Sequence, residues 1–324
     1  MQSLHSARPS HGDYYVVTHD VAQRLQSFRS ETLEVPRQND PMFDEFHRGL
    51  QEKVQQALAG VAVHTVHIDD LARTIWEKVK HGVGDRLVVS TCAEIISTLN
   101  GGSQVLNINR LFDSRGELIG YGPRPGCESL TRQLDELAIK AGDRSVFLME
   151  EGAYSGGTIR FVLQQLRERR VEVSTLVMGF CTPVTRDHIK DVFDGEIIVI
   201  NEIGELVDWI TDHDLIPFTP GCGRVLEGKT PEGCVCAFPY ILPFGRMEEW
   251  TSLPEDVARE VSRFCLGASI GFFGRFSKGD GTPLLIRDLV ASFPAVPIPV
   301  GIGEIPSLDT DVVNFLKAVL GKLA

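Results

Sequence analysis

Residues 146–166, "VFLMEEGAYSGGTIRFVLQQL", decide how the chain is read. An apolar run as long as a buried strand ends in Glu150 and Glu151, crosses a short Gly/Ser turn and restarts at helical spacing. Strand, turn and helix start in that order make the unit from which parallel sheets are built. In the turn, Gly152, Gly156 and Gly157 are free to take φ > 0 and aim N–H groups inward. Ser155 and Thr158 add hydroxyl donors, and the helix start adds the positive end of its dipole. The product is an anion cradle, of a size suited to one phosphate monoester. Two carboxylates beside a bare phosphate would only repel it. They make sense if the ligand also carries neutral hydroxyls, or brings a divalent cation. A sugar phosphate with a metal meets both conditions.

Outward from this stretch the chain alternates. Strands are expected at 86–90, 104–109, 145–150, 173–180 and 196–200, with helices at 92–99, 128–141, 157–169 and 185–193 between and after them. Short apolar strands between amphipathic helices predict an α/β fold, a central parallel sheet with helices on both faces. Ligands of such sheets bind beyond the carboxyl ends of the strands, where Glu150 and Glu151 fall. Before this core, Val21, Leu25 and Phe28 form one helical stripe and Phe43, Phe46, Leu50 and Val54 another. "GVAVHTVHI" is a short β-type run, and "DDLARTIWEKVKHG" reads as a helix capped by Asp69 or Asp70. Beyond residue 205 Pro and Gly break every long period and short hairpins are expected. Three regions follow: a helical N-terminal extension (1–59), an α/β core (60–245) and a mostly helical C-terminal extension (246–324).

The chain has 324 residues and a formal charge of -12, with a pI near 5.2. That balance argues against a nucleic-acid partner, because backbone affinity comes from clustered Lys and Arg. No run reaches the length of a spanning helix, and the N-terminus shows no basic flank followed by an apolar core, so no membrane association and a cytoplasmic location are expected. Seven cysteines, an odd number in a chain too large to need staples, fit reduced thiols. Cys222, Cys234 and Cys236 stand as C-x11-C-x-C, without paired C-x2-C arms, and read as thiols rather than zinc ligands.

The stretch "VFLM-EE-GAY-SGGT" resembles the phosphoribosyl-pyrophosphate signature of the type I phosphoribosyltransferases: a hydrophobic strand, two acidic residues, then x-x-x-[ST]-G-G-[ST]. The resemblance covers roughly residues 60 to 245, and only the thirteen-residue signature is specific. It implies a phosphoribosyltransferase-like core in which Glu150 and Glu151 hold the ribose hydroxyls. Ala153, Tyr154, Ser155, Gly156, Gly157 and Thr158 would wrap the 5-phosphate. By the same resemblance Ser90, Thr91 and Cys92 form the pyrophosphate loop, although the glycine often found there is missing. Residues 109–129 would form a flexible catalytic loop in which Arg110, Arg115 and Arg124 could neutralise the departing pyrophosphate. Trp209 would face the acceptor base, Arg224 would bind substrate, and Asp214 would join Glu150 and Glu151 around Mg²⁺.

The implied activity is Mg²⁺-dependent transfer of ribose 5-phosphate from phosphoribosyl pyrophosphate to a nitrogenous small-molecule acceptor, with homodimerisation the commonest state of such chains. Displacement at C1 passes through an oxocarbenium-like state, so it needs positioning and negative charge near the sugar, for which Glu151 is the candidate. Two other readings use the same pocket: a regulatory protein that binds the sugar pyrophosphate without turnover, and a hydrolase or lyase acting on a ribose 5-phosphate compound.

"GRVLEGKT" (223–230) matches a P-loop letter for letter, but a P-loop needs a buried strand before it and a helix after it, and Pro and Gly are too dense here for either. His64 and His67 lie three apart on a short strand and face opposite ways, which argues against a shared metal.

Overall fold

Along Val146–Met149, alternate side chains enter two different cores, and that alternation organises the molecule. The computed structural model describes residues 13–28, 33–97, 103–293 and 295–323. In it β4 (Leu87–Ser90), β5 (Gln104–Val105), β8 (Val146–Ala153), β9 (Val173–Cys181) and β10 (Glu196–Glu202) form one sheet in the order β10-β9-β8-β4-β5. Every neighbouring pair is parallel. Val146 and Leu148 pack with α5 (Leu130–Ala141), α6 (Gly157–Glu168) and α7 (Pro183–Lys190). Phe147 and Met149 pack with α3 (Ile68–Val79) and with Ile95 of α4 (Ala93–Ser97) on the other face. The fold is thus α/β, a five-stranded parallel sheet flanked by helices. Its first strand, β4, lies between its second and third, so the order reverses at the β4–β8 junction. Open parallel sheets bind their ligands at such a junction.

α6 is set by its stripe: Ile159, Val162, Leu163 and Leu166 are all buried. Each such side chain contributes about 1.5–3 kcal/mol. Only Gly156 of the three turn glycines has positive φ, at 71° as the N-cap of α6. Gly152 lies inside β8, where a Cβ would come within 2.4 Å of the Phe180 ring. Gly157 is the first helical residue, with the Tyr121 hydroxyl 2.9 Å from where its Cβ would stand. These two are small because neighbours approach closely, not because the backbone turns.

The N-terminal segment is not the helical extension expected of residues 1–59. β1 (Asp13–His19) is the central strand of a second parallel sheet, between β3 (Ala62–His67) and β11 (Glu205–Thr211). "YYVV" is buried on both faces: Tyr14 and Val16 join α3 and the larger sheet, while Tyr15 and Val17 face the opposite core. A strand buried on both sides shows no alternation, which hides it from a pattern search. The region after residue 205, expected as short hairpins, starts with β11. At its start Tyr14 pairs with Leu206 and Tyr15 with Asp208, leaving Val207 as a bulge whose carbonyl accepts a hydrogen bond from the Tyr154 hydroxyl at 3.1 Å.

The core behind β1 joins early and late segments of the described residues. It contains α1 (Val21–Leu25) and α2 (Pro41–Ala57), whose stripe Phe43, Phe46, Leu50 and Val54 is buried as expected. α2 packs on α9 (Glu255–Gly274), with Phe46 stacked 5.7 Å from Phe264. α8 (Met247–Trp250), α10 (Ile286–Ser292) and α11 (Val312–Gly321) complete it, with two small sheets: β2 (Leu33–Glu34) with β14 (Ser277–Lys278), and β12 (Arg224–Val225), β13 (Cys236–Phe238) and β15 (Ile298–Pro299).

Other differences from the sequence reading are local. The expected strand 104–109 breaks after Val105, and the expected catalytic loop is a hairpin of β6 (Ile108–Phe112) and β7 (Leu118–Pro123). The end of the helix expected at 92–99 lies outside the described residues. α3 is preceded by His67 at the N-cap, with Asp69 and Asp70 in its first turn, where they favour the helix dipole. "GRVLEGKT" runs through β12 into turns with no helix after it.

Candidate active site

A cavity of about 330 Å³ opens where the carboxyl ends of the two parallel sheets meet. Glu150, Glu151, Cys92, Arg124, Arg110, Asp214 and Trp209 all line it, so the sheet topology gathers seven expected residues from across the chain. A second cavity, about 380 Å³ beside Leu163, Arg167 and Phe193, opens at the amino ends of β9 and β10, away from the switch point.

Glu151 sits in β8 with 8% of its surface exposed. Burial, then the charge of Asp20, push its pKa up to about 8, against a hydrogen bond from Thr18. The Thr18 hydroxyl in turn accepts from the Trp209 indole N–H at 3.0 Å. The other carboxylate oxygen, Oε1, is buried without a hydrogen-bond partner. Glu150 is better satisfied: it accepts from the Thr91 hydroxyl and from the backbone N–H of Glu151. Burial nevertheless raises its pKa.

The loop after β4 is held from within. The Ser90 hydroxyl donates to the Cys92 carbonyl and accepts from its N–H at 3.0 Å, while the Thr91 N–H donates to the Met149 carbonyl. Arg124 braces it by donating to the Thr91 carbonyl at 2.8 Å. The loop Ala153–Thr158 contributes no wall to the cavity among its described lining residues; Ala153 is buried and Tyr154 reaches out to the bulge at Val207.

Three expected residues take other roles. Arg115 is at the exposed turn of the β6–β7 hairpin, paired with Asp113 at 2.9 Å, and does not reach the cavity. Arg224 lies 4.2 Å over the Trp250 ring and donates to the Gly116 carbonyl, a cation held in an aromatic box. Asp214 lines the cavity, but its oxygens already accept from the Gly223 N–H at 2.7 Å and the Thr211 hydroxyl at 2.9 Å. The seven cysteines are free thiols, and Cys222, Cys234 and Cys236 are buried.

The structure adds a charged wall that sequence reasoning missed. Arg24 pairs with Asp20 at 3.0 Å and with Glu94 at 3.2 Å, and these two carboxylates raise its pKa although burial opposes the charge. Burial likewise opposes ionisation of Glu94, yet Arg24 and Arg124 hold its carboxyl down at about 2. His213 Nδ1 is 2.7 Å from Asp20; burial lowers its pKa, Asp20 raises it, and the net shift is upward. The available signal was "THD" (18–20) and "TDHD" (211–214), two like strand ends, which turn out to be neighbours in one sheet.

No family model matches the chain, and no curated protein does. Among solved structures, the crystal structure of TT1426 from Thermus thermophilus aligns with 41% of this chain and 82% of its own, at 13% identity and a TM-score of 0.28. No helix among the described residues is long and apolar enough to cross a membrane.

Proposed function

We propose that the chain is a Mg²⁺-dependent phosphoribosyltransferase that takes phosphoribosyl pyrophosphate in the cavity between the two sheets and passes ribose 5-phosphate to a nitrogenous acceptor. The observation that carries this is Glu151: a buried carboxylate facing a cavity at the sheet's switch point with Oε1 unpartnered. An orphaned buried acceptor calls for a donor or a cation from the ligand. Vicinal ribose hydroxyls supply the first. The oxygen-only pair Glu150 and Glu151 fits a hard dication for the second, whereas Asp214 has little acceptor capacity left. When bound, Mg²⁺ would neutralise the leaving pyrophosphate. Arg110 and Arg124 line the same cavity and would add fixed positive charge there. Glu151, held by the Trp209–Thr18 relay, would place negative charge beside C1 as the oxocarbenium-like state develops, once the bound cation has displaced the proton that burial favours.

A second reading, a protein that binds the sugar pyrophosphate without turning it over, is favoured by the β4 loop. Its Thr91 and Cys92 N–H groups donate within the protein instead of presenting an open anion nest.

Calorimetry with phosphoribosyl pyrophosphate and Mg²⁺ tests both readings. Binding that Glu151→Gln weakens at least about tenfold is expected. No binding, or equal binding by the variant, sinks both. Given binding, pyrophosphate release with any member of a panel of bases and amines supports the transferase, and silence across it supports the sensor.

A further inference from the structure

The three-stranded sheet has its own cluster at its carboxyl end, on which the proposed transfer does not draw. His19 ends β1, Asp212 follows β11, and His47 reaches in from α2. One donor atom from each lies within 4.8 Å of the other two. His19 Nδ1 is 3.2 Å and His47 Nε2 3.1 Å from the same oxygen, Asp212 Oδ2. Tetrahedral ligands about 2 Å from an ion are spaced about 3.3 Å apart, which these gaps match.

The rest of the cluster is arranged as support. Asp212 Oδ1 accepts from the backbone N–H groups of Asp20 and Val21 at 3.0 and 2.9 Å, which fixes the carboxylate and leaves Oδ2 facing the imidazoles. Carboxylate ligands are oriented by hydrogen bonds of this kind. Both ring nitrogens of His47 are buried without a hydrogen-bond partner, although its Nε2 is so close to Asp212. The separation suits a shared ion; the direction does not suit a hydrogen bond. His67, at the end of β3, sets its ring centre 5.0 Å from that of His19 and 5.6 Å from that of His47. Two imidazoles on one tetrahedral ion hold their centres about 5 Å apart, so the His67 ring stands beside the site, although its nitrogens do not join the three donors that lie within 4.8 Å of one another.

We propose that His19, His47 and Asp212 bind a transition-metal dication, with His67 beside the fourth position, and that the ion is Zn²⁺. Two imidazoles and a carboxylate also make the ferrous triad of oxygenases, but that chemistry needs open positions for its reactants. Here the Asp212 side chain is 0% exposed, that of His19 1% and that of His47 12%, which makes a closed, structural site. The ion would tie β1 and α2 to the turn that carries His213 and Asp214 into the cavity. The His19 and His47 rings stack at 4.0 Å, so loading would spread them apart.

The full-length protein, stripped with chelator and dialysed, is titrated with Zn²⁺ and separately with Co²⁺. One equivalent of Zn²⁺ is expected to bind, and Co²⁺ to give the intense visible bands of a four-coordinate N/O site. His47→Ala, on the least buried ligand, is expected to weaken Zn²⁺ at least about a hundredfold, and Asp212→Asn likewise; His47→Gln serves if either variant fails to fold. The double variant Cys234→Ser/Cys236→Ser is expected to bind as the parent does. No uptake of either metal, uptake that survives the His47 variants, or uptake lost in the cysteine variant would overturn the site. In the first case the cluster is only a polar contact between two imidazoles and a buried carboxylate.

Discussion

The two parallel sheets end within one hydrogen bond of each other, at Thr18 and Glu151, yet they end differently. The five-stranded sheet presents carboxylates to an open cavity and leaves one buried oxygen without a donor. The three-stranded sheet presents imidazoles around a carboxylate that is fully enclosed and whose other oxygen caps a helix from a distant segment. The same backbone geometry thus carries a frustrated carboxylate at one end and a fully supported one at the other, where it is the His47 ring nitrogens that lack a partner. An unpaired buried acceptor costs stability in the free protein and repays a ligand, whereas a fully supported one holds the fold.

Removing the enclosed carboxylate tests this contrast most severely. Asp212→Ala strips the cap from α1 and leaves His19 and His47 without their shared partner, and is expected to cost about 3–5 kcal/mol in denaturant unfolding. A loss below about 1 kcal/mol would put the two ends on the same footing.

The open end should respond in the opposite sense. The Glu151 pKa of about 8 lies above its ordinary carboxyl value, so the folded state favours the proton. The stability tied to that proton is full at pH below the ordinary carboxyl range and is lost as pH rises to about 8. Glu151→Gln should therefore be more stable than the parent at pH 8.5, by roughly 2–4 kcal/mol, with little difference at pH 4. Parallel melting curves across that range would expose a Glu151 that is not frustrated.

The smallest change sharpens where the signature loop belongs. Tyr154→Phe removes one half-exposed hydrogen bond to the Val207 carbonyl, worth about 0.5–1 kcal/mol. If the loop answers to the second sheet, hydrogen exchange of residues 153–158 should speed up in the variant while that of β8 stays unchanged.

What sequence could reveal followed from period. β8 and α6 were legible because the pattern changes at the glycines from a continuous apolar run to a stripe of Ile159, Val162, Leu163 and Leu166. β11 was not, for a specific reason. The bulge at Val207 puts Leu206 and Trp209 against one core and Val207 and Ile210 against the other, so residues three apart share a face as on a helix. Trp209 accordingly reads from sequence as a helix-face aromatic as readily as a cavity wall. The acidic pair could be found because it ends a legible strand. Arg24, Asp20 and His213 could not, since β1 shows no alternation and nothing local says that strands about 190 residues apart in sequence are neighbours. Arg224 misleads in the other direction: an arginine after a glycine looks available for substrate, while the fold surrounds it with Phe112, Tyr240 and Trp250.

The bulge has one more consequence. Because Val207 offers Tyr154 a main-chain carbonyl and not a side chain, residue 207 can drift through many amino acids without losing that attachment point. Insertion or deletion in β11 is the change it will not tolerate, because moving the bulge moves the anchor. Among related chains, length at this strand should therefore vary less than identity does.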